Sequence, residues 1–126
     1  MNHILIVDDE AVIRSSLKRL LERHNYQVSL AGSVEEALAG APLDSFSLII
    51  SDLRLPGAAG ITLIDKALDT PVLIMTSFAS IRSAVDAVRA GAADYIAKPF
   101  DHDDMLLTID RILRERLLRR HNAAPQ

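Results

Sequence analysis

Apolar positions in this chain follow two alternating patterns. Short, nearly continuous runs occupy HILIV (3–7), YQVSLA (26–31), SLIIS (47–51), PVLIM (71–75) and DYIA (94–97). Their length and branched residues predict strands covered on both faces. Between them, Ile13, Leu17, Leu20 and Leu21 recur at helical spacing, as do Ile81, Ala84, Val85 and Val88, and then Leu106, Ile109, Leu113 and Leu117. Each set predicts one face of an amphipathic helix. Ser33 and Glu36 have the spacing of a capping box, Asp101 is placed to cap the last helix, and Gly40 and Gly91 stand where helices end. A short helix is expected over 61–68, after PGAAG.

Five strand–helix units of this size predict an α/β fold: a parallel sheet with helices on both faces. Right-handed crossovers place every strand's C-terminal end on one edge, where open sheets of this kind bind ligands. The residues delivered to that edge are Asp8 and Asp9 after the first strand, Asp52 after the third, Thr76 after the fourth and Lys98 after the fifth. The second strand ends in AGS and brings no charge. That silence fits a flavodoxin-like, doubly wound five-stranded sheet in the order 2-1-3-4-5 with five helices, where the second strand is outermost.

Carboxylates gathered this closely repel one another, by about 4 kcal/mol for two unit charges at 4 Å and an effective dielectric of about 20. They need a cation or protons to persist at neutral pH. Oxygen ligands without sulfur favour Mg²⁺, Mn²⁺ or Ca²⁺, and Mg²⁺ keeps positions for water and phosphate oxygens. A lysine and a hydroxyl facing that metal suit a phosphoryl group. A carboxylate can itself be the nucleophile, giving an aspartyl phosphate. Asp52 taken alone reads better as a cap for the loop after its strand; the company of Asp8, Asp9, Thr76 and Lys98 favours phosphoryl chemistry.

Bulk properties narrow the class. The 126 residues fit one domain, 49% hydrophobic and 25% charged, with a net charge of -3 and no cysteine. A disulfide framework, a thiolate metal site and a cysteine nucleophile are excluded. No run approaches membrane-spanning length and the N-terminus carries no basic leader, so a cytoplasmic chain without membrane contact is expected. Arg111, Arg114, Arg116, Arg119 and Arg120 alternate with Leu113, Leu117 and Leu118 and include no aromatic. They read as a solvated helix face, not as a nucleic-acid surface. His3, His24, His102 and His121 show no ligand spacing.

ILIVDDE (4–10), LIISDLRLPG (48–57), VLIMTS (72–77) and GAADYIAKPF (91–100) together resemble the receiver domain of two-component response regulators, over residues 3 to 118. The resemblance implies that Asp52 is the phosphoacceptor, that Asp8, Asp9 and the Arg54 backbone carbonyl hold Mg²⁺ with it (Mn²⁺ being the other candidate), and that Lys98 pairs with the phosphoryl oxygens. It further implies that Thr76 moves toward the phosphate, that Tyr95 turns inward after it, and that the Lys98–Pro99 peptide is cis. Arg54 and Phe78, two residues beyond Asp52 and Thr76, stand where the family varies and bear on phosphoryl lifetime. PGAAG lacks the acidic or bulky residue often found before the second glycine, and Ser77 replaces a frequent alanine.

The run TSFASIRSAVDAVRAGAADYIAKPF is similar to NtrC-type regulators, whose receivers precede an ATPase and a DNA-binding domain. On that likeness residues 1–119 form the receiver and 120–126 a tail or the start of a linker. The expected function is a signalling switch and not a turnover enzyme. A histidine kinase or phosphotransfer protein phosphorylates it, the surface of the fourth helix, fifth strand and fifth helix changes, and that face also offers a homodimer contact. The output is transcription, through an attached domain or a partner. The alternative is a stand-alone or degenerate receiver acting as a protein-binding module, which would predict loss of Asp9, Asp52 or Lys98. A haloacid-dehalogenase-type phosphohydrolase would need an acid where Arg54 stands, and no P-loop or G-x-G-x-x-G supports nucleotide binding.

Overall fold

A computed structural model describes residues 2–77 and 80–122. Five strands, β1 (His3–Val7), β2 (Gln27–Ala31), β3 (Leu48–Asp52), β4 (Val72–Thr76) and β5 (Asp94–Ala97), alternate with α1 (Ala11–Arg23), α2 (Val34–Ala39), α3 (Thr62–Lys66), α4 (Ile81–Ala90) and α5 (His102–Asn122). The strands are all parallel, in the order β2-β1-β3-β4-β5. This is the doubly wound architecture that the sequence pattern predicts.

Strand alternation divides the apolar residues between two layers. Leu5, Val7, Ile49, Val72 and Ile74 pack with Val34, Leu63 and Ala87 beneath α2, α3 and α4. Ile4, Ile6, Leu48, Ile50, Leu73 and Met75 pack with Leu17, Leu21, Met105 and Ile109 beneath α1 and α5. β3 and β4 are buried along their whole length, so they hold the edge residues on a rigid base.

Several local expectations change in detail. The Glu36 N–H donates to Ser33 Oγ at 3.1 Å, but the Glu36 carboxylate accepts from the Gly32 N–H at 2.8 Å instead of closing the box on Ser33. Gly91 ends α4 in the left-handed region (φ 105°), whereas Gly40 ends α2 with φ -88° and uses no glycine-specific geometry. Asp101 Oδ1 accepts the Asp103 N–H at 2.7 Å, as its capping role requires.

The larger correction concerns α4. Its apolar stripe faces solvent: Ile81 is 87% exposed and Val85 and Val88 are exposed with it, while Ala87 is fully buried. The inner face is made of Ser83, Ala84 and Ala87. Small residues let the helix lie close to the sheet, and the branched ones are left outside. In α5, Ile109 is buried but Leu117 is exposed.

Candidate functional site

The C-terminal edge of β1, β3 and β5 brings together Asp8, Asp9, Glu10, Asp52 and Lys98. Asp8 follows β1, its main-chain N–H donating to the Ala31 carbonyl at 3.0 Å. Asp52 is the last residue of β3, in register with Met75. The Lys98 N–H donates to the Thr76 carbonyl at 2.9 Å, which continues the β4–β5 ladder by one rung and aims the lysine across the edge.

The two buried carboxylates are satisfied in the same way. Asp8 Oδ1 accepts the Glu10 N–H at 2.8 Å and Asp8 Oδ2 accepts from Lys98 Nζ at 2.7 Å. Asp52 Oδ1 accepts the Arg54 N–H at 3.1 Å and Asp52 Oδ2 accepts from Lys98 Nζ at 2.8 Å. Each is an aspartate bonding the amide two residues on, the local geometry this side chain favours. One ammonium bridges them, and Glu10 Oε1 stands 3.6 Å from it.

Burial sets the electrostatics. It raises the Asp8 carboxyl above the ordinary aspartate value. The Lys98 and Glu10 hydrogen bonds pull it down without cancelling the shift, and the charge of Asp52 adds to it. Burial also works against the Lys98 ammonium, yet its hydrogen bonds to Asp52 and Asp8 outweigh that and lift its pKa above the ordinary lysine value.

Carboxylate oxygens of Asp8, Asp9, Glu10 and Asp52 all lie within 4.8 Å of one another. Asp9 and Glu10 are on the solvent side, Asp8 and Asp52 on the sheet side. An all-oxygen donor set with two ligands buried and two open to water fits a hard divalent cation such as Mg²⁺.

The other expected residues surround this cluster. Thr76 closes β4 and is fully buried. Tyr95 shares its register with Ile74, so Tyr95 and Thr76 lie on the same face of the sheet, over the layer covered by α4. The Tyr95 hydroxyl is engaged by Ser83 Oγ at 2.7 Å. The Lys98–Pro99 peptide is cis. Phe78 lies outside the described residues.

Three contacts were invisible in the sequence. Arg14 donates to the Asp8 carbonyl at 2.6 Å, Glu35 reaches the loop after β3 by accepting the Ala58 N–H at 3.1 Å, and Ser83 meets Tyr95. Glu10 was legible as the third acid of DDE, without any role assigned.

A family profile, the response regulator receiver domain, matches residues 4–110. The chain belongs to that family. Among relatives of this receiver domain, the transcriptional regulatory protein FixJ of Bradyrhizobium diazoefficiens is 37% identical over 117 residues, covering 90% of this chain and 57% of FixJ. The C4-dicarboxylate transport transcriptional regulatory protein DctD of Rhizobium meliloti is 36% identical over 119 residues, covering 91% of this chain and 26% of DctD. The receiver domain thus spans about half or a quarter of the length of these relatives. Among solved structures, NtrX from Brucella abortus in complex with ADP superposes with a TM-score of 0.90 at 32% identity, over 98% of this chain and 30% of NtrX. The beryllofluoride-activated NtrC4 receiver domain dimer gives 0.85 at 32% identity, over 92% and 99%. NtrC-type regulators are therefore among the receiver domain's relatives.

Proposed function

We propose that this receiver domain is switched by phosphorylation of Asp52, with a histidine kinase or phosphotransfer protein as donor. The observation that carries the reading is the Asp52 carboxylate itself. It is 6% exposed at the reactive edge of the sheet, bonded to Lys98 and within reach of Asp8 and Asp9.

A carboxylate oxygen of Asp52 attacks the phosphorus of the donor's phosphohistidine; the O–P bond forms as the N–P bond breaks, and the imidazole leaves with the electron pair. Asp8, Asp9, Asp52 and the Arg54 carbonyl would hold Mg²⁺ (or Mn²⁺), which would supply neutralisation of charge on the phosphoryl oxygens. Lys98 exchanges its carboxylate partner for a phosphoryl oxygen without leaving the edge. Thr76 then moves toward the phosphoryl group and Tyr95 turns inward behind it, which changes the surface of α4, β5 and α5. The product of the chemistry is a conformation, and slow hydrolysis of the acyl phosphate resets it.

The output under this reading is transcription, through a domain following residues 120–126 or through a partner. FixJ and DctD, both longer than this chain, are named transcriptional regulatory proteins. The exposed Ile81, Val85 and Val88 of α4 suit a homodimer through α4, β5 and α5. The chain is read as cytoplasmic; among the described residues no helix is long and apolar enough to cross a membrane.

The test is intact-mass measurement after incubation with acetyl phosphate, with and without Mg²⁺, beside Asp52→Asn. One Mg²⁺-dependent phosphoryl adduct, absent from the variant, is expected. No adduct under any condition overturns the reading and favours a protein-binding module.

A further inference from the structure

We infer that Ser83 is a latch that holds Tyr95 in its unphosphorylated position and so sets the switching equilibrium of this receiver domain, an inference that rests on the phosphoacceptor reading of Asp52. Ser83 is the third residue of α4 and sits on the helix's inner, partly buried face. Its hydroxyl joins the cap of α4 to β5. It lies 3.0 Å from Ser80 Oγ and 3.2 Å from the Ser80 carbonyl. It accepts the Ser80 N–H at 3.2 Å, closing a capping box in which Ser80 Oγ accepts the Ser83 N–H at 3.0 Å. It also shares a 2.7 Å hydrogen bond with the Tyr95 hydroxyl, twelve residues away on β5.

The consequence is mechanical. Tyr95 cannot move toward the Thr76 end of β4 while its hydroxyl stays on Ser83, so inward rotation requires this bond to break. A hydrogen bond present in one state and absent from the other shifts the equilibrium by its own free energy, and anything that binds the second state works against it. Because the same hydroxyl completes the cap, Tyr95 is tied to the first turn of α4 through a single group. The latch thereby couples the aromatic ring to the helix whose exposed stripe forms the proposed output face. The hydrogen bonds of Asp52 and Lys98 at the edge do not involve Ser83, so its effect is on the population of states and not on the chemistry.

The test uses the full chain and beryllofluoride with Mg²⁺ as a mimic of the phosphoryl group, with affinity followed by fluorine NMR and Tyr95 ring signals by proton NMR. Ser83→Ala should tighten beryllofluoride binding roughly two- to tenfold, the range expected for one lost hydrogen bond. Tyr95→Phe should tighten it similarly, and the double variant should add nothing to either single one. Ser83→Thr, which keeps a hydroxyl, should restore the original affinity. Ser80→Ala removes the partner of both the Ser83 N–H and Ser83 Oγ but leaves the Ser83–Tyr95 bond in place, so it should change affinity by less than Ser83→Ala; an equal effect there would mean that the cap alone acts, and overturns the latch. Unchanged affinity in Ser83→Ala, or additive effects of Ser83→Ala and Tyr95→Phe, overturns the latch while leaving the phosphoacceptor reading intact. A parent chain that neither binds beryllofluoride nor accepts phosphoryl from acetyl phosphate overturns both.

Discussion

Gly60 lies directly against the backbone of Asp52: a Cβ at Gly60 would stand 1.9 Å from the Asp52 carbonyl oxygen and 2.6 Å from Ser51 Oγ. The loop after β3 folds back onto the strand here, its Gly60 N–H donating to the Leu53 carbonyl at 3.1 Å. Gly60→Ala is expected to cost at least the ~1–3 kcal/mol of an overpacked core, read by urea denaturation. Adding Ser51→Ala should not rescue it, because the closest contact is main chain. Full recovery in the double variant would show that the serine, not the Asp52 backbone, sets the limit.

Lys98 gives a second prediction. Its ammonium occupies both Asp8 Oδ2 and Asp52 Oδ2, so a cation held by the same carboxylates feels its charge. Lys98→Met should tighten Mg²⁺ binding by roughly tenfold or more, since unit charges a few ångströms apart interact by several kcal/mol at the dielectric of a protein edge. Isothermal titration with MgCl₂ measures this. Weaker Mg²⁺ binding in the variant would mean that Lys98 organises the carboxylates more than it repels the metal.

If Mg²⁺ binds only the folded chain, it also stabilises it, by about 2.7 kcal/mol at one hundred times its dissociation constant. Thermal melts should therefore rise with MgCl₂ in the parent chain. The rise should shrink in Asp9→Asn, whose side chain is exposed. An equal rise in both chains would remove Asp9 from the metal site.

Glu35 supplies a pH dependence. Its own main-chain N–H, and next the Ala58 N–H, hold its carboxyl below the ordinary glutamate value. With the folded pKa below the unfolded one, the stabilisation is complete above the unfolded value of about 4.3. It fades as pH falls through the folded value. The Ala58 amide resonance should shift across that acid window and stay flat in Glu35→Gln. Gly57 has φ 78° in the same loop, and a Cβ there would meet Glu35 Oε1 at 2.8 Å, so the loop accommodates Glu35 closely.

The reversed face of α4 is testable as well. Ile81→Ser, at 87% exposure, should change stability by less than ~0.5 kcal/mol. Ala87→Leu, at a fully buried position, should cost ~1–3 kcal/mol. The opposite order in urea denaturation would restore the stripe of branched residues to the core.

That helix marks where sequence reasoning meets its limit. Periodicity shows that Ile81, Val85 and Val88 share a face, but an apolar stripe can cover a core or wait outside it. Which of these holds depends on how closely the sheet lets the helix approach. The Ser33–Glu36 box differs in a smaller way: Ser33 caps the Glu36 N–H as the spacing predicts, while the partner of the Glu36 carboxylate depends on the turn at Gly32.

The strand pattern, the parallel order and the arrival of Asp8, Asp52, Thr76 and Lys98 at one edge were determined by the sequence alone, because each rests on local period and on the fixed hand of the crossovers. The tertiary structure decided what those residues touch. Lys98 bridges two carboxylates separated from it by 90 and 46 positions. Glu35 braces a loop 23 positions on, and Ser83 meets Tyr95 across a helix–strand junction. Such pairings depend on where whole elements dock against one another, and residue order along the chain carries no local signal of that.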